Sequence, residues 1–130
     1  MNLGYTFVNT ETARHPSHLW FVISHPDGAN RVVIVNVSSD SGGLDGLEGL
    51  YPGDHPWVQH YSFIRADRAM LAPVEAVEVA ARSKAAKPEI AAVPATVTRL
   101  QLALGKSIHT KREVKRVLAD QGFISPPTAR

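Results

Sequence analysis

Cysteine is absent from this 130-residue chain, and long apolar runs are scarce although 44% of its residues are hydrophobic. Without a thiol there is no disulfide framework, thiolate zinc site, iron–sulfur cluster or cysteine nucleophile. No stretch approaches the roughly 18 to 20 apolar residues that a spanning helix needs, so no membrane role is expected. The opening Met1-Asn2-Leu3-Gly4-Tyr5 lacks a basic region followed by a long apolar one, and does not read as a secretory signal. A soluble, cytoplasmic chain is the expectation. Two phosphate and acyl-transfer signatures are missing as well. Gly42-Gly43-Leu44-Asp45-Gly46 has neither the lysine nor the following helix of a phosphate loop, and there is no Gly-x-Ser-x-Gly elbow.

What is present is unevenly spread. The net charge is only +2, yet residues 1–73 hold four bases against seven acids, or −3. Residues 74–130 hold ten bases against five acids, or +5, including every lysine. Five of the six histidines lie in the first part. Two segments with such different electrostatics imply two surfaces.

The first part reads as β. His18 to Ser24 is a run of aromatic and branched residues ended by His25-Pro26-Asp27-Gly28, a turn in which glycine is the residue suited to positive φ. Arg31 to Ser39 is almost wholly β-branched, so a hairpin about residues 25–30 is expected. Residues 39–54 form a glycine- and acid-rich connection, long enough to suggest function or mobility. Trp57 to Ile64 gives a further strand or pair of strands, and Tyr5-Thr6-Phe7-Val8 an opening one. Short strands without helical period between them suggest a small antiparallel barrel or roll.

From Pro73 the period changes. Val74 to Lys84 is helical, Pro88 and Pro94 bracket a linker, and Thr96 to Leu104 is an amphipathic helix stopped by Gly105. Thr110-Lys111-Arg112-Glu113 has the spacing of a capping box, and Gly122 ends the helix that follows. The final residues, from Pro126, are expected to fray.

Histidine titrates near neutrality and suits proton transfer. His15, His18, His25, His55 and His60 flank strands or end loops, positions that gather at one rim of a barrel. Asp54, His55 and His60 are metal-ligand types, but their spacings lack the regular offset of a helical zinc motif. Arg65 and Asp67 alternate in Ile64-Arg65-Ala66-Asp67, so Arg65 either holds a phosphate or pairs with Asp67. His109 to Arg116 puts Lys111, Arg112, Lys115 and Arg116 on one helix. These bases meet phosphates, face solvent, or complement the acidic first part by packing on it.

Four segments follow a family order: Gly4-Tyr5-Thr6-Phe7-Val8, His18 to Ser24, Asn36-Val37-Ser38-Ser39 and Ile64-Arg65-Ala66-Asp67. Over residues 4–72 the chain resembles the PemK/MazF-type toxins, small SH3-like barrels that cleave RNA. The resemblance implies an α+β protein, with an SH3-like antiparallel β-barrel over 1–73 and a C-terminal helical extension over 74–130 packed on it. His18 and Ser38 stand where the family carries a catalytic arginine and threonine. It also implies a metal-independent endoribonuclease of a toxin–antitoxin system, without cofactor. In that scheme His18 is the base, Ser38 a phosphate hydrogen-bond donor, Arg65 (or Arg14) the charge stabiliser and His60 the second histidine. Arg14, His55, Lys111, Arg112 and Lys115 would bind RNA. The expected partners are RNA, a cognate antitoxin and a second copy of the chain. The alternative is a non-catalytic protein- or nucleic-acid-binding module of a toxin–antitoxin or phage-defence locus.

Overall fold

A computed structural model describes residues 1–9, 18–82 and 86–126. Arg14 lies outside these residues, as do the ends of the expected first helix and of the C-terminal tail. Among the described residues there are seven strands: β1 (Thr6–Asn9), β2 (His18–Val22), β3 (Arg31–Ser38), β4 (Gly49–Leu50), β5 (Ser62–Ile64), β6 (Met70–Pro73) and β7 (Ala86–Glu89). Three helices accompany them: α1 (Val74–Arg82), α2 (Pro94–Lys106) and α3 (Arg112–Asp120). No helix among the described residues is long and apolar enough to cross a membrane.

The protein is α+β, and its strands pair antiparallel in the order β4-β5-β3-β2-β1-β7. The long strand β3 divides one edge between two partners. Val37 and Ser38 pair with β5, whereas Arg31 to Ile34 pair with β6. A 3-10 turn at Ala66–Arg68 connects those two partners.

The expected barrel is corrected here, because the sheet is not closed. β4 and β7 end the strand order without pairing to each other, and helices rather than further strands cover both faces. Side-chain alternation explains why helices suffice. Leu19, Phe21, Val33, Val35 and Val37 face one way and share a core with Val97, Leu100 and Leu104 of α2 and Val114 and Leu118 of α3. Phe7, Val22, Val32 and Ile34 face the other way and pack with Val74 and Val77 of α1. Each face loses its apolar surface to a helix, which removes the drive to curl shut.

Several local expectations are also revised. The segment bracketed by Pro88 and Pro94 is not a bare linker: residues 86–89 pair with β1. Pro88 is tolerated because β7 is an edge strand, where a missing N–H breaks no ladder. Between Trp57 and Ile64 only Ser62–Ile64 is extended, since Val58 N–H closes a turn onto His55 O at 2.9 Å. At the β2–β3 turn the left-handed residue is Asn30 (φ 57°), not Gly28. α2 runs one residue past Gly105. The capping box does not form: Lys111 is the cap residue, and Thr110 Oγ1 donates instead to Leu104 O at 2.8 Å, tying the end of α2.

Candidate functional site

β2 and β3 bring together two residues twenty positions apart. Leu19 pairs with Val37, so the next step of the register sets His18 across from Ser38. Cross-strand neighbours on one face have Cβ atoms about 4.5–5.5 Å apart. The segment before β5 then supplies a second histidine. His18, Ser38 and His60 line one cleft of about 210 Å³, together with Ser39, Asp40, Trp57, Gln59 and Ser62.

Hydrogen bonds fix the walls. Ser38 Oγ accepts the Asp40 N–H at 3.1 Å. Ser62 Oγ donates to His60 O at 3.0 Å and sets the backbone that presents the imidazole. Asp40 Oδ1 accepts the Gly42 N–H at 2.8 Å, turning the loop back at the cleft edge. His60 is exposed and Trp57 presents 39% of its surface, so a flat ring faces the same opening.

Arg65 sits behind this wall and is buried. Its Nε and Nη2 donate to Asp67 Oδ1 and Oδ2, each at 2.9 Å, and Nη1 donates to Asp40 O at 3.1 Å. The ion-pair alternative for Arg65 is therefore the one observed, and its guanidinium does not line the cleft. The hydrogen bonds from Arg65 hold the Asp67 carboxyl below its ordinary range despite partial burial. Asp67 in turn raises the basicity of Arg65. Gly42 lies against the guanidinium, where a Cβ would fall 2.5 Å from Nη2. Arg65 thus braces the loop carrying Ser39 and Asp40.

His55 is almost fully buried, edge-on to Phe21. Nδ1 accepts the Trp57 N–H at 3.1 Å, so Nε2 carries the proton and donates to Ile90 O at 2.5 Å. Both ring nitrogens are committed, and His55 lies in the core. Asp54 turns elsewhere: its Oδ2 accepts the Tyr51 N–H at 2.6 Å and Arg99 Nη1 at 2.8 Å. Burial pushes its carboxyl up, but those two donors outweigh burial and hold it below the usual range. Asp54, His55 and His60 therefore do not converge, and no group of three metal-ligating side chains occurs among the described residues.

Lys111, Arg112 and Lys115 lie far from these strands in sequence, on α3 and its cap. Arg112 and Lys115 line a separate cavity of about 440 Å³ with Thr110, Ile124 and Ser125, and Lys111 is exposed beside it. Trp57, Gln59 and Ser62 were not singled out by sequence reasoning. The signal was present in Trp57-Val58-Gln59-His60, where polar and aromatic residues interrupt what otherwise reads as a strand. Comparison with protein-family models and with curated proteins returns no match.

Proposed function

We propose that this chain is a toxin-type endoribonuclease working from the cleft of His18, Ser38 and His60. The observation that carries the reading is their shared position, since three elements separated in sequence present two histidines and three serines to one cavity. His18 takes the proton of a ribose 2′-hydroxyl, and the 2′-oxygen forms a bond to the adjacent phosphorus. The bond from phosphorus to the 5′-oxygen breaks, and that oxygen receives its proton from the His60 imidazolium. The products are a 2′,3′-cyclic phosphate and a 5′-hydroxyl. Ser38 donates its hydroxyl proton in a hydrogen bond to a non-bridging oxygen as charge builds there. Trp57 offers a stacking face for a base beside the scissile phosphate. Arg65 acts by holding the Asp40 wall. The relationship to the SH3-like toxins rests on the sequence resemblance over residues 4–72, to which the open sheet adds the consecutive antiparallel strands β1, β2 and β3. Under that relationship an antitoxin and a second copy of the chain are the protein partners.

The test is incubation of a long RNA with the protein in EDTA. Wild type is expected to leave cyclic-phosphate ends, and His18→Ala or His60→Ala to cut about 10²- to 10⁴-fold more slowly. Absence of cleavage by wild type sinks the catalytic reading, and undiminished cleavage by both variants removes the histidines from it.

A second reading has its own support. Arg112 and Lys115 form no ion pair among the described residues and line the α3 cavity, as a phosphate-binding module would require. If wild type binds RNA without cutting it, this is the function that remains.

A further inference from the structure

On the other side of the 59–62 segment lies a second groove, between residues 46–51 and α2. Two adjoining cavities of about 400 and 140 Å³ form it and share Leu47, Glu48, Ile64 and Lys106. Its rim is aromatic. Tyr51 is 60% exposed and Tyr61 37%, and the two rings meet edge to face with centroids 5.0 Å apart. Tyr61 also contacts Phe63 edge-on at 5.2 Å, which fixes its plane. Exposed tyrosines held rigidly on a groove edge give contact area at little entropic cost.

The charges of the groove divide into fixed and available. Arg99 is committed, with Nη1 on Asp54 and Nη2 on Gly49 O at 3.0 Å, so it holds the wall. Lys106 is largely exposed, and among the described residues its one ion pair is with Glu48, at 3.9 Å and with both partners solvated. Such a contact is weak, and a phosphate can displace it. Tyr61 directly follows His60, so the groove and the histidine cleft adjoin across consecutive residues.

We infer that this groove is a base-stacking subsite for single-stranded RNA extending beyond the histidine cleft. Bases stack on Tyr51 and Tyr61, and Lys106 meets the backbone between them. The inference rests on the RNA reading of the adjoining cleft but needs only binding, not cleavage.

The experiment uses a fluorescent 12-mer of 2′-O-methyl oligouridylate, which lacks the attacking hydroxyl, in an anisotropy titration. Tyr51→Ala is expected to weaken binding about tenfold, while Tyr51→Phe, which keeps the ring, retains it. An abasic oligomer of the same charge is expected to bind wild type weakly and to show no further weakening in Tyr51→Ala. Lys106→Ala is expected to lower both affinity and its salt dependence. No binding of the oligomer by wild type overturns the inference. So does unchanged affinity in Tyr51→Ala, or equal binding of abasic and base-bearing oligomers. Binding with these reductions but without cleavage of natural RNA supports the subsite and sinks the catalytic proposal alone. Cleavage of natural RNA with unchanged affinity in Tyr51→Ala sinks the subsite alone.

Discussion

Arg65 and His55 both carry polar groups into the interior, and each is there because named partners receive it. For Arg65 the partner is the Asp67 carboxylate, which leaves little of the guanidinium to solvent. Removing the carboxylate strands a buried cation. Asp67→Asn is expected to cost about 1–3 kcal/mol at neutral pH in urea denaturation. The folded pKa of Asp67 is depressed, chiefly by the hydrogen bonds from Arg65, so the unfolded state takes up its proton first as pH falls. The stabilisation is full above about pH 4, the unfolded value, and fades as pH drops through the lower folded value. The gap between wild type and Asp67→Asn should shrink over that acid range. A gap independent of pH would mean that packing, not charge, holds Arg65. Sequence spacing left phosphate binding and ion pairing as equals for this arginine. The two bonds to Asp67 decide between them, and Asp40 O, twenty-five residues away, takes a third N–H.

At the level of single elements the sequence is most legible where the signal is local. β2, β3 and the two C-terminal helices lie where apolar periodicity puts them, since burial of a repeating face needs no distant information. The end of α3 is equally local. Gly122 adopts φ 81°, its N–H bonds to Ala119 O at 2.9 Å and that of Phe123 to Leu118 O at 2.9 Å, so the last carbonyls are met. Gly122→Ala forces a Cβ into the left-handed region and is expected to cost about 1–2 kcal/mol, read as a lower urea midpoint with unchanged slope. The elements that were not legible depend on partners. Residues 86–89 become a strand only because the β1 edge is open to them. Thr110 fits a capping box by spacing, yet the Leu104 carbonyl of the preceding helix captures its hydroxyl.

Over the whole molecule the uneven charge of the two segments is partly internal. Arg99 of α2 reaches Asp54, and Lys106 reaches Glu48, so bases of the second segment neutralise acids of the first. α3 is different, because Lys111, Arg112 and Lys115 have no such counterpart among the described residues. A variant with all three changed to alanine is expected to bind RNA more weakly, irrespective of sequence. The slope of log affinity against log salt should fall by about one for each phosphate that these side chains neutralise. An unchanged slope between about 50 and 200 mM salt, measured by anisotropy, would make these lysines and the arginine a solvated face only. The same division between paired and unpaired charge was invisible in net counts, because counts carry no distances.

The amino-acid sequence by itself determined an α+β chain without thiol chemistry, its apolar strands and helices, and the concentration of histidines in its first part. Those properties follow from composition and from periods of two and 3.6, which operate between near neighbours in the chain. Tertiary structure alone decided which histidines meet. It put His18 and His60 in one cleft, turned His55 into the core and set Arg65 behind the wall. It also left the sheet open, with helices on both faces. The physical reason is that strand register and helix packing join residues tens of positions apart, and no local pattern encodes the partner a side chain will find.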